Sequence, residues 1–168
     1  PVSERVMGYQ LIETIEVGAG GAASIEFTGI PQDAVDLVVK ISSRLSDNVT
    51  VNYVRLNGST SNHSYRELDG NGSGASSNFG GGFQVATGFS GAPSSTFSSA
   101  SIYISNYSSS LAKSMSADSV NENNGTFANA RMIAGLYNDT ASITSLKLVA
   151  GSGNYVQYST ASLYKITA

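Results

Sequence analysis

Oxygen-bearing side chains at alternate positions, Asp69, Asn71 and Ser73 in "DGNGSG", form the pattern with which a loop surrounds a calcium ion. The position that should deliver the bidentate glutamate is Gly80, and no helical pattern flanks the run, so a turn is expected here and no metal site. The overlapping "GNGSGA" (70–75) matches a phosphate-cradling fingerprint, which works only between a strand and a helix. "SSNFGGG" follows and is no helix start.

His63 is the single histidine, among serines too abundant for any Ser–His pairing to be informative, and no G-x-S-x-G occurs. A loop histidine contacting backbone or water is the expectation. Paired carboxylates would suffice for glycoside hydrolysis. Glu13 and Glu16 are separated by an odd number, which puts them on opposite faces of a regular strand; Asp33 with Asp36, and Asp118 with Glu122, border turns. Cysteine is absent, which removes disulfides, thiolate catalysis and cysteine-ligated zinc together. No catalytic constellation emerges, and the chain is expected to be no enzyme and to carry no cofactor.

The elements that would position these residues are strands. Charged residues make up 12% of the 168, about half the roughly 25% usual for a globular protein, so Ser, Thr, Asn and Gly must supply the polar surface. The net charge of −3, without a basic stripe, argues against nucleic acid. No apolar run is long enough to span a membrane, and "PVSERVMGYQ" contains no signal-peptide core. Pro1 is what removal of an initiator methionine would leave, which predicts a whole short polypeptide. Seven N-x-S/T triplets, from Asn48 to Asn138, are then the by-product of an Asn/Ser/Thr-rich chain.

Period-2 alternation recurs at 9–17, 23–29, 35–42, 49–57, 83–89, 98–106, 112–120, 129–138, 141–150 and 159–167. These ten short strands, with turn signals between them, predict an all-β, single-domain β-sandwich, jelly-roll-like. The glycine- and serine-rich stretch 58–82 is expected as a long loop of that domain, with a short strand at 64–68 at most. It is no linker, because neither flank holds a full strand set. Residues 1–8 are expected as an N-terminal arm and 9–168 as the domain. Nine tyrosines without tryptophan suit subunit interfaces and sugar-stacking surfaces as well as core packing.

"IEFTGIPQDAVDLVVKISSR" (25–44), "VRLNGSTSNHSYRELDGNGSGASS" (54–77), "IYISNYSSSLAKSMSADSVNENN" (102–124) and "AGLYNDTASITSLKLVAGSGNYVQYSTASLYKI" (134–166) together resemble a group of bacteriophage virion structural proteins. Nearly the whole chain is covered. Ser59 stands where those proteins usually have Asp, so a metal contact at that position does not carry over. The resemblance implies a jelly-roll domain on phage heads or in tail-fibre tips, commonly trimeric, and brings no catalytic residues. A head decoration (cement) protein that stabilises the capsid lattice is the first expectation, with the major capsid protein and copies of itself in a homotrimer as partners. A tail-fibre tip or carbohydrate-binding module recognising a host surface glycan is the alternative. Expected contact residues are Val2, Arg5, Val6 and Tyr9 from the arm, Tyr65 and Arg66 from the 58–82 stretch, and Tyr107.

Overall fold

Alternation of buried and exposed residues is the rule through most of the chain. It is cleanest in "KSMSADSVNE", where Lys113, Met115, Ala117, Ser119 and Asn121 point inward and every second residue points out. The computed structural model describes residues 8–167, which form twelve strands and no helix. They are β1 (Gly8–Glu16), β2 (Ser24–Phe27), β3 (Asp36–Ser43), β4 (Val51–Leu56), β5 (His63–Gly70), β6 (Ala75–Gly81), β7 (Gln84–Ala86), β8 (Ser98–Ile104), β9 (Lys113–Glu122), β10 (Ala128–Tyr137), β11 (Leu146–Ala150) and β12 (Thr160–Thr167).

All pairings between these strands are antiparallel, in an eight-stranded sheet of order β1-β12-β3-β8-β9-β10-β5-β6 and a four-stranded sheet of order β2-β11-β4-β7. The quartet β1-β12-β3-β8 faces β2-β11-β4-β7, and the chain passes between the two sheets as it would in a jelly roll. Two hairpins are inserted into that frame: β5–β6 between β4 and β7, and β9–β10 between β8 and β11. Both add to the same side of one sheet and double its width. All ten strands expected from the pattern are present. The two further strands arise from the stretch expected to be a loop.

The reason is local. Gly58 (φ 69°) and Asn62 (φ 63°) supply left-handed turns on entry, and Gly82 (φ 91°) on exit. Between them, the "DGNGSG" run closes a hairpin turn: Asn71 N–H donates to the Gly74 carbonyl at 3.1 Å, while Asn71 Oδ1 accepts from the Ser73 and Gly74 amides at 3.0 and 2.9 Å. The half-matched calcium loop is therefore an Asx turn. Glycine here joins strands, and the polar composition of β6 reflects an edge with no core behind it.

The core lies between the facing quartets. Phe27, Leu37, Val39, Leu45, Leu56, Phe83, Ile102, Ile104, Leu148 and Leu163 are almost wholly shielded. Burying each such side chain contributes about 1.5–3 kcal/mol. At one end the apolar packing gives way to a hydroxyl cluster, in which Ser43 Oγ lies 2.9 Å from Thr87 Oγ1 and 3.0 Å from Asn52 Nδ2. Two cations close the loops. Arg44 donates to the carbonyls of Ser90, Ala92, Pro93 and Thr96, and buried Lys113 to those of Ser109, Leu111, Thr140 and Ala141.

Candidate interaction surface

Where the inserted hairpins extend the large sheet, its outer face is built by cross-strand rows. Val120, Ala130, Gly70 and Ala75 are successive partners across β9, β10, β5 and β6. Asp118, Met132, Leu68 and Ser77 form the next row, and Ser116, Ala134, Arg66 and Phe79 the third. Five large apolar side chains stand out of this face: Phe79 is 74% exposed, Met132 70%, Leu68 62%, Val120 48% and Leu136, at its far end, 39%. Shallow grooves of about 460 and 390 Å³ run on either side of Met132 and Leu68. Apart from Asp118 and Arg66, alanine, serine and glycine fill the remaining positions of these rows, so the surface is flat and backbone-close. The Arg66 guanidinium carbon sits 4.8 Å from the Phe79 ring centroid, a cation–π contact that holds the ring against the sheet.

On the inner face of the same strands, Met115, Ala117, Ile133 and Tyr137 join the core, and beside them lies a polar cluster. Arg131 reaches toward two carboxylates, with Nη1 3.9 Å from Glu67 Oε2 and Nε 3.6 Å from Asp69 Oδ2. Asn129 donates to both oxygens of Asp69, at 2.8 and 3.1 Å, and Asn78 to Glu67 Oε1 at 3.2 Å. Arg131 thus compensates a buried acidic pair.

The remaining groups suggested as chemical are dispersed. Glu13 and Glu16 lie opposite Leu163 and Thr160, on the two faces of the strand. Asp33 is ion-paired to Lys165 Nζ at 2.6 Å, whose hydrogen bonds hold the Asp33 carboxyl below its ordinary pKa. Asp36 accepts the Tyr103 hydroxyl, and that bond pushes the phenol's pKa up to about 12. His63 is buried at the start of β5, stacked on Tyr137 with ring centroids 4.6 Å apart, and its Nδ1 lies 2.8 Å from the Ser61 carbonyl. That contact requires a protonated Nδ1, leaving Nε2 to accept from Leu56 N–H at 3.5 Å. Desolvation lowers its pKa below the ordinary 6.5, with nearby Arg55 acting in the same direction. Among the described residues, no three His, Cys, Asp or Glu side chains gather as metal ligands would.

The residues expected at contacts separate. Arg66 lies on the exposed outer face beside Phe79. Tyr9 is 62% exposed on edge strand β1 and packs edge-on against Tyr164. Tyr65 corrects the expectation: it points to the inner face, its ring lies over Gly80, and its hydroxyl accepts from Gln84 at 3.0 Å. Tyr107 is a second correction. It is wholly buried and donates its hydroxyl to the Pro31 carbonyl, tying the 105–112 turn to the 29–34 turn, so it has no surface to offer a partner. Tyr137 and Tyr155 are likewise core residues. Val2, Arg5 and Val6 lie outside the described residues, as does the expected arm apart from Gly8.

Sequence reasoning missed Leu68, Phe79, Val120 and Met132. A signal for them exists in "NARMIAGLY": Met132 beside Ile133 and Leu136 beside Tyr137 make β10 apolar on both faces, which a strand with one solvated face does not require. No protein-family model matches the chain, and no curated protein or solved structure is significantly similar to it.

Proposed function

We propose that the chain is a bacteriophage virion structural protein, a head decoration (cement) protein that binds the capsid lattice as a homotrimer through the outer face of β9-β10-β5-β6. The observation that carries this reading is the uncovered patch of Leu68, Phe79, Val120 and Met132 on a flat, small-residue sheet. An apolar surface of this kind, rimmed by serine, Asp118 and Arg66, suits a protein partner. The resemblance of four long segments to phage virion proteins supports a partner within the virion, for which we take the major capsid protein at the capsid surface. A standard interface of roughly 800 Å² per partner would bury the patch and its rim.

Copies per particle in purified virions test it, counted by quantitative mass spectrometry against the major capsid protein. Hundreds of copies are expected. A handful, in multiples of three, would overturn the head assignment. The tail-tip reading has its own support in a cleft of about 180 Å³ on the opposite side of the sandwich, lined by Tyr53, Arg55, Thr60, His63 and Gly82. There Tyr53 offers an exposed ring and Arg55 a charged donor to a host surface glycan. Glycan-array binding abolished by Tyr53→Ala would favour that reading, and a blank array would remove it.

A further inference from the structure

Four sheet edges are exposed by the fold, and three of them are guarded. β1 carries Glu13 and Glu16 and a bulge between Leu11 and Glu13. β2 has four residues with Glu26 among them. β7 has three, and its Ala86 amide donates to Ser119 Oγ at 3.0 Å. β6 is different: "ASSNFGG" has no charge, no proline and no bulge, and it closes the eight-stranded sheet with nothing beside it among the described residues. Such an edge templates another strand unless something prevents it.

The β5–β6 ladder fixes which groups of β6 are available. Gly82 N–H donates to the His63 carbonyl at 3.2 Å at one end, and Asn71 N–H to the Gly74 carbonyl at 3.1 Å at the other. Hydrogen-bonded and non-hydrogen-bonded pairs alternate between these ends. Asn78 and Ser76 therefore bond inward to β5, while Ala75, Ser77, Phe79 and Gly81 turn their amides and carbonyls outward.

We infer that β6 pairs antiparallel with β6 of a second copy about a twofold axis at Asn78. In that register Ala75 meets Gly81 of the other copy and Ser77 meets Phe79, so all four outward-facing residues are paired with one another. The strand carries no charge to set against itself, whereas self-pairing of β1 would bring carboxylates together. On the outer face, each Phe79, held against Arg66 of its own copy, stands opposite Ser77 of the other, which is itself the cross-strand partner of Leu68. The two apolar patches become one surface. An isologous contact of this kind is self-complementary by construction. It uses the strand edge that borders the face proposed to meet the lattice, and purified protein suffices to test it.

Ser77→Pro removes one outward amide while leaving the β5 ladder intact, since proline is tolerated where the N–H faces solvent. By sedimentation, the wild-type mass should be an even multiple of the 17.4 kDa chain, and Ser77→Pro should halve it. The chain has no cysteine, so a single introduced one reports self-contact directly. Asn78→Cys faces its own copy as a non-hydrogen-bonded pair about 4.5 Å apart, within disulfide range, and should form a covalent dimer in air. Ser76→Cys, about 13 Å from its own copy in this register, should not. A wild-type mass of one chain, a mass that Ser77→Pro leaves unchanged, or equal cross-linking of the two cysteine variants would overturn the inference. So would loss of association on deleting residues 2–7 alone, which would give the edge to the N-terminal segment.

Discussion

The ring of Phe83 lies flat against Gly135: a Cβ added to that glycine would sit 2.2 Å from Phe83 Cδ2 and 2.3 Å from Cε2. Phe83 is fully buried and leads from the β5–β6 hairpin into β7, while Gly135 faces inward from β10. The contact therefore locks one inserted hairpin to the other, and it needs a glycine for lack of side-chain room.

Gly135→Ala should destabilise the fold by about 3 kcal/mol, the upper end for overpacking, since neither Phe83 nor Met115 can move without disturbing the core. Adding Phe83→Leu should recover at least about 1 kcal/mol relative to the sum of the single variants. Urea denaturation of the four proteins measures the coupling, and simple additivity would refute it.

Arg44 and Lys113 each bind four backbone carbonyls that have few alternatives. Arg44→Lys keeps the charge but loses the planar fork, so a cost of about 1–2 kcal/mol is expected. Hydrogen exchange should quicken at the Ala92 and Thr96 amides, whose turns the guanidinium braces, and should be unchanged in β10. Lys113→Met leaves its four carbonyls unpaired in a buried site, at an expected cost of about 3 kcal/mol. A stability within about 0.5 kcal/mol of wild type would show that water replaces the ammonium.

His63 makes stability depend on pH with a defined sign. Its pKa is lowered on folding, so above about 6.5 the ring is neutral in both states and imposes no cost. As pH falls below that value, the unfolded chain takes up a proton that the folded chain resists, and stability declines until the folded pKa is passed. His63→Phe, which keeps a ring stacked on Tyr137, should abolish this decline between the ordinary histidine pKa and the lower folded one. Melting curves at several pH values that run parallel for the two proteins would contradict this role.

On the outer face, Met132→Lys should leave thermal stability within about 0.5 kcal/mol of wild type, because the side chain already stands 70% exposed and faces Asp118 across the ladder. Incorporation into capsid shells lacking the protein should fall at least tenfold. Unchanged incorporation would overturn the proposal that this face meets a capsid lattice.

Ten of the twelve strands were legible in the sequence because each has one apolar face, and period-2 alternation records that face directly. The jelly-roll frame follows from them. β5 was legible only as a short strand at 64–68 and β6 not at all, because apart from Tyr65 their inward residues lack an apolar pattern: Glu67 and Asp69 are held by Asn78, Asn129 and Arg131. The half-matched calcium loop was recognisable as unfit from Gly80 alone, but only cross-strand pairing showed it to be a hairpin turn.

Composition and spacing by themselves determined an all-β chain without cysteine. Tertiary structure decided the sides. Whether Tyr65, Arg66, Tyr107 or Met132 faces core or solvent depends on register and on which half of the large sheet the small sheet covers, and both are long-range facts. The small sheet has four strands and the large one eight, and although Met115, Ala117, Ile133 and Tyr137 on the inner face of β9 and β10 still join the core, the outer face of that half leaves Leu68, Phe79, Val120 and Met132 in solvent.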